Sequence, residues 1–389
     1  MSENRSRISR KYTTIMKSNA AVLQEPVDAD DLAEAAPAAI ETIDVEEPQG
    51  DEVLVEIGAS SLCHTDVAIT RGHLEESFPL VMGHEGAGIV REVGPDVESV
   101  EEGAHVVLGR IACGRCEYCR IGRSNLCNER TKARKRGTIR SGAIRFNQDG
   151  QKLHHCHGVS SFSEYTVVSE EVAIEITDEL PLRQATLLGC GVFTGAGAVM
   201  NTADIEPGAS VAVFGVGGVG ASAIQAAELR GATEIIAVDL VDDRLSLAES
   251  MGATRTINPG DDDTVELLRD WSGGGLDYAF DAAGNPTVIE QAVDSLRPTG
   301  TAVLVGTPPI GKQDVSLDIY DVVVSEKSLL GSFNGSYNLA DAIPRLAELA
   351  ADGRFDLEAL ISDERSLNEV NKAMGALETG GGLRQLIIP

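Results

Sequence analysis

From Glu52 to about Gly191, apolar and polar positions alternate over short runs broken by glycine and turn residues. Val53–Ile57, Gly88–Val93 and His105–Leu108 are such runs, and period-two alternation predicts strands. At Val211 the period changes. Val211–Phe214 reads as a buried strand, Gly218–Leu229 has helical spacing and Glu234–Asp239 reads as a second strand. Segments 242–252 and 286–296 are helix-like, 276–284 and 301–306 strand-like, and Leu329–Phe333 is the last strand of the series. Strands alternating with helices predict an α/β unit, a doubly wound parallel sheet with helices on both faces. The tail then changes again, with helical segments at 339–351 and 367–377 and a closing apolar strand Gln385–Ile388. The expected division is therefore 192–333 as the parallel-sheet domain, and 17–191 with 334–389 as a second, mainly β domain. Arg130–Ser161 shows no period and is expected to be a long loop lying against other structure.

Composition changes this picture in one respect. The 389 residues are 42 % apolar, and no run approaches the ~18 residues of a membrane span. No secretory leader is visible, so a cytoplasmic location is expected. The formal net charge is −29, from 61 acidic against 32 basic side chains. That excess argues against partners such as nucleic acid or an anionic membrane, and 4 % aromatic residues leave no rows of base-stacking platforms. Only 8 of the cations are lysine, and the acids are spread along the whole chain. Such a surface resembles that of proteins from extremely salty cytoplasm, the alternative being an acidic patch for one basic partner. Residues 1–16 are basic instead, and are read as a disordered extension rather than a targeting arm.

Gly215, Gly217, Gly218, Val219 and Gly220 form a GxGxxG turn directly after a strand and opening a helix. The first glycine permits the turn, the second lets the backbone approach a pyrophosphate, and the third lets helix and strand pack closely. The helix N-terminus offers free N–H groups to the phosphates. Asp239 ends the next strand, where a carboxylate accepts from ribose hydroxyls and repels a 2′-phosphate. This Rossmann pattern predicts dinucleotide binding and favours NAD over NADP, with nearby Arg244 leaving the choice open.

Cysteines carry the remaining chemistry. Cys113, Cys116, Cys119 and Cys127 are spaced to enclose one tetrahedral ion with no open position, which predicts a structural zinc; an iron–sulfur cluster is the rival. Cys63, His84 and Cys190, with Glu85 beside the histidine, are dispersed. Two thiolates and an imidazole leave one coordination position open, as a catalytic zinc requires. His154, His155, Cys156 and His157 are read as a structural loop, because adjacent side chains in an extended segment point apart. Trp271 and Gly273–Gly275 read as a helix end and turn.

On SLCHTD, GHEGAG, the four-cysteine run, GCGVFTG and GVGGVG, in that order, the chain resembles zinc-dependent alcohol dehydrogenases of the medium-chain dehydrogenase/reductase superfamily, from about residue 17 to 389. The long segment after Cys127 resembles the class I and class III enzymes, and the acidic surface a haloarchaeal member. The resemblance implies a GroES-like fold for the mainly β domain, a homodimer, NAD and two zinc ions per chain. It implies Cys63, His84 and Cys190 as catalytic zinc ligands and Glu85 as an acid that can approach the metal. Asp66 becomes the carboxylate orienting a ligand histidine, Thr65 the hydroxyl receiving the alcohol proton, and His64 and Arg384 pyrophosphate contacts. It departs at Ala68, where many relatives end a proton relay on histidine. The implied activity is reversible oxidation of a small alcohol with hydride transfer to NAD. Alternatives are a class III-like oxidation of a formaldehyde–thiol adduct, an enzyme with permanently bound nicotinamide, and a non-catalytic NAD-binding protein.

Overall fold

The period change at Val211 marks a change of sheet. The computed structural model describes residues 16–260, 263–308, 311 and 313–389. Strands Ser210–Phe214, Glu234–Val238, Arg255–Ile257, Leu276–Asp281, Leu296–Leu304 and Ser328–Gly331 form one parallel sheet in the order third, second, first, fourth, fifth, sixth. Both faces are covered. Val211 and Val213 pack with Ile224 and Ala227 of helix Gly218–Leu229 on one side. Ala212 and Phe214 pack with Leu268 and Ala292 on the other. Burial on both faces is why these strands read as continuous apolar runs rather than alternating ones. The strand order reverses between the first and fourth strands, so the sheet opens a crevice at their carboxyl ends.

The second unit is a seven-stranded sheet beside a closed five-stranded barrel. Its long strand Glu52–Leu62 pairs with Gly86–Val93 and Tyr165–Ser169, and with the chain's last strand, Arg384–Ile388. That last pairing explains the second change of pattern: the tail returns to complete the seven-stranded sheet. Helix Leu339–Ala351 matches its expected span, and Arg384–Ile388 begins one residue early.

The stretch expected as a loop is different. It holds most of helix Asn128–Arg136 and the hairpin Phe146–Gln148 with Gln151–His155, which closes the barrel. The helix has no apolar stripe, because only Ala133 is buried, and the hairpin strands are too short to show alternation. Residues 1–15 of the expected extension lie outside the described residues, and Met16 already belongs to strand Met16–Leu23. Among the described residues no helix is long and apolar enough to cross a membrane.

Candidate active site

Three segments far apart in sequence deliver one cluster of donors. Cys63 follows strand Glu52–Leu62 and caps helix His64–Thr70. Its N–H donates to Asp66 Oδ2 at 3.0 Å, which fixes the turn. His84 and Glu85 immediately precede strand Gly86–Val93, and Cys190 precedes helix Gly191–Gly197. Donor atoms of Cys63, His84, Glu85 and Cys190 all lie within 4.8 Å of one another. Gly191 leaves room for the Arg384 guanidinium, which a Cβ there would displace.

Asp66 does a second job. Its Oδ1 lies 2.8 Å from His84 Nδ1, with both side chains fully buried. Donation from Nδ1 leaves Nε2 as the free acceptor. Nε2 has no hydrogen-bond partner, and neither has Glu85 Oε2. Burial opposes a charge on His84, but the Asp66 carboxylate outweighs it and raises the imidazole above its usual range. The two sulfurs also interact: contact with Cys190 pulls the Cys63 thiol well below its usual value, and the same contact pushes Cys190 up. Unsatisfied buried acceptors beside paired thiols are what a bound cation would satisfy, and S, S and N donors suit zinc.

A second cluster lies in the cysteine lobe. The sulfurs of Cys113, Cys116, Cys119 and Cys127 lie within 4.8 Å of one another. Cys116 and Cys127 each stand at the N-terminus of a helix, Glu117–Arg120 and Asn128–Arg136. The Cys116 N–H donates to Cys113 Sγ and the Cys113 N–H to Cys127 Sγ, both at 3.3 Å. Backbone N–H groups bring the Cys116 thiol down to about 6, favouring the thiolate a metal needs. Four thiolates without an open position suit a structural zinc.

The dinucleotide crevice faces the first cluster through Arg384. Gly215 to Gly220 make the turn from strand Ser210–Phe214 into helix Gly218–Leu229. At Gly220 a Cβ would stand 1.8 Å from Gly215 O, whereas a Cβ at Gly217 would meet nothing within 4 Å. The turn is therefore tight on its inner side and open where a pyrophosphate approaches. Arg384 Nε lies 2.2 Å from the place a Gly218 Cβ would take, and its Nη1 donates to Glu85 Oε1 at 3.3 Å. One guanidinium thus touches both the phosphate cradle and the donor cluster. Asp239 accepts from the Val216 N–H at 2.7 Å and the Val241 N–H at 2.9 Å. Arg244 Nη1 stands 3.8 Å from the Asp239 carboxylate. His64, the first residue of helix His64–Thr70, is exposed, and partial loss of water around its ring, followed by the charges of Arg384 and Arg244, lowers it from its usual value. Thr65 Oγ1 is 3.7 Å from Cys63 Sγ.

Residues 218–351 match the zinc-binding dehydrogenase family model, and residues 49–178 match the alcohol dehydrogenase GroES-like domain. The chain belongs to the zinc-dependent medium-chain alcohol dehydrogenases. The dehydrogenase is 40 % identical to the S-(hydroxymethyl)glutathione dehydrogenase of Escherichia coli O1:K1 / APEC over 377 residues, covering 96 % of this chain and all of that one. An alcohol dehydrogenase zinc-binding domain protein from Burkholderia ambifaria superposes with TM-score 0.91 at 37 % identity, covering 97 % of this chain and 100 % of that one. Benzyl alcohol dehydrogenase from Acinetobacter calcoaceticus does so with TM-score 0.86 at 34 % identity, covering 96 % and 99 %.

Sequence reasoning missed part of this site. The histidine run expected as a loop is instead split: His154 and His155 end strand Gln151–His155, where His155 accepts from the Arg145 N–H at 3.2 Å and burial lowers it to about 3. His157, however, reaches the donor cluster, its ring 5.4 Å from that of His84. Arg110 arrives there as well, its Nη2 3.1 Å from Cys190 Sγ. The only signal for Arg110 was an arginine at the end of an apolar strand, inside the sequence HVVLGR.

Proposed function

We propose that this dehydrogenase oxidises an alcohol reversibly to an aldehyde or ketone, with NAD as the hydride acceptor. The observation that carries the reading is the Cys63–His84–Cys190 donor set, oriented by Asp66 and joined to the dinucleotide crevice by Arg384. When bound there, zinc supplies a Lewis acid that lowers the proton affinity of an alcohol oxygen, and the nicotinamide supplies the hydride acceptor. The chain does the rest. Asp66 holds the ligand imidazole in the tautomer that presents Nε2. Glu85 accepts from Arg384 through Oε1, and burial lifts its carboxyl to about 7. Thr65 receives the alcohol proton, and because Ala68 has no polar side chain the proton leaves through water or His64. Cys113, Cys116, Cys119 and Cys127 hold the structural zinc. The test is formation of reduced nicotinamide from plain alcohols by the zinc-loaded protein, abolished by a chelator; retained zinc without turnover of any alcohol overturns the reading.

A second reading, oxidation of an S-(hydroxymethyl) thiol adduct, is supported by the printed name of the Escherichia coli relative. It displaces the first if formaldehyde with a thiol is turned over and plain alcohols are not.

NAD is favoured because Asp239 directly follows strand Glu234–Val238, the position from which a carboxylate accepts from adenosine ribose hydroxyls. Replacing Asp239→Ala is expected to shift the kcat/KM ratio of NAD to NADP by on the order of 10–100-fold toward NADP, since Arg244 then faces the adenosine ribose uncompensated. A wild type that already prefers NADP would sink this assignment.

We also propose a homodimer. Helix Ile319–Val324 exposes Ile319, Tyr320, Val323 and Val324 next to the edge strand Ser328–Gly331, and such apolar patches mark interfaces. Sedimentation at the mass of a single chain would remove that proposal. Adaptation to high salt is the third proposal, from the net charge of −29. The thermal midpoint is expected to rise steadily from dilute buffer to molar KCl as self-repulsion is screened; a midpoint independent of KCl excludes it.

A further inference from the structure

Each sulfur of the donor set has a guanidinium beside it. Arg384 acts on Cys63 and donates to Glu85 Oε1 at 3.3 Å. Arg110, two residues past strand His105–Leu108, places Nη2 3.1 Å from Cys190 Sγ. It is 6 % exposed, and its second arm is also held. Arg110 Nη1 lies within hydrogen-bond reach of His157 Nδ1. A guanidinium has only donors, so Nδ1 is the acceptor and the imidazole hydrogen sits on Nε2. That nitrogen faces Glu76 Oε1 at 3.3 Å, and Glu76 accepts from Arg134 Nη1 at 2.9 Å. The guanidinium fork is thus fixed between a thiol and a braced imidazole. Burial opposes its charge, but the Cys190 sulfur, followed by Cys63 and Glu85, holds Arg110 ionised. Arg130, the other cation of this corner, lies over the Phe333 ring at 4.7 Å from its centroid.

The charges at the cluster give this contact a consequence. Two thiolates offset a divalent ion, and Arg384 offsets Glu85. Asp66 adds a further buried carboxylate against His84. With Arg110 the fixed charges balance; without it the cluster is negative before any oxyanion joins it. A hydrogen bond accepted by a ligand sulfur also withdraws electron density that the ion would otherwise receive, leaving a stronger Lewis acid. We propose that Arg110 is a positioning residue for alcohol oxidation: its bond to Cys190 weakens that thiolate as a donor, and the alcohol oxygen therefore gives up its proton at a lower pH. The proposal rests on Cys63, His84 and Cys190 being the catalytic zinc donors. Arg384 cannot take over, because it serves Cys63 and Glu85.

The test uses enzyme with cobalt(II) at the catalytic site and zinc at the four-cysteine site, both contents checked by elemental analysis. Sulfur-to-cobalt charge-transfer absorption reads the donor strength of the thiolates and moves to longer wavelength when a hydrogen bond to sulfur is lost. The cobalt d–d bands, followed against pH with NAD and trifluoroethanol present, read deprotonation of an alcohol that resists oxidation. Arg110→Gln is expected to move the charge-transfer band to longer wavelength and to raise the pH midpoint by about 1–2 pH units. Arg110→Lys keeps the charge but not the fork. It should show a smaller displacement of the band and a midpoint between those of the wild type and Arg110→Gln. Either readout staying at its wild-type value in Arg110→Gln overturns the proposal. So does Arg110→Lys behaving as Arg110→Gln in both. If Arg110→Gln does not fold, Arg110→Lys decides: displacement of both readouts supports the proposal, and an unmoved band or midpoint overturns it. A wild type that holds cobalt without a charge-transfer band removes the sulfur donor set itself, and with it the alcohol dehydrogenase reading.

Discussion

His84→Ala is expected to lose one of two bound zinc ions and to slow alcohol oxidation by ~10³-fold or more, since the Lewis acid contributes several kcal/mol to the reaction. The size of the effect follows from how the imidazole is held. His84 is fully buried, bonded to a fully buried Asp66, and presents its one free acceptor to the sulfurs of Cys63 and Cys190. Of the remaining donors only the Glu85 carboxylate could take its place, and one of its oxygens is already bonded to Arg384. The truncation also leaves Asp66 with a buried carboxylate oxygen that has lost its partner, so a modest fall in thermal midpoint accompanies the loss of activity. The check is zinc content by elemental analysis together with the rate of cofactor reduction. A variant that keeps both ions and most of its rate would show that His84 is not a ligand.

Cys127→Ser is expected to act on the other ion and through stability. The lobe from Cys113 to Cys127 has little core of its own. Its helix Glu117–Arg120 buries no residue, and Ile121 and Leu126 are exposed. Four thiolates around one ion are what hold such a segment, and comparable structural zinc ions contribute about 10–16 kcal/mol in small isolated peptides. Part of that is recovered here by packing of the surrounding domain. The expected fall in thermal midpoint is therefore on the order of 10 °C, with one zinc lost and the lobe opened to protease. The catalytic zinc should remain, because the two donor sets share no residue. An unchanged midpoint with one ion missing would mean that the lobe folds without its metal.

The two predictions separate by readout, which matters because Arg110 leads from the cysteine lobe to the catalytic cluster. Three residues before Cys113, it bonds Cys190.

Local chemistry and local period determined a large part of this protein. The parallel sheet was legible because its strands are buried on both faces and its helices carry the intervening 3.6-residue spacing, so Val211–Phe214 and Gly218–Leu229 needed no tertiary information. The GxGxxG turn was legible because its glycines answer to backbone sterics within six residues, and the four-cysteine run because metal geometry limits ligand spacing. The helix Asn128–Arg136 and the barrel-closing hairpin were not, since neither carries an apolar period long enough to read. Only the tertiary structure decided which side chains meet. It joined Cys63, His84 and Cys190 across more than a hundred residues, returned Arg384 from the chain's end to Glu85, and set Arg110 and His157 beside them. Buried polar partners of this kind leave no periodic trace, because their positions follow from the strand pairing that closes the sheet and from the packing of two domains, and neither is written in any short window of sequence.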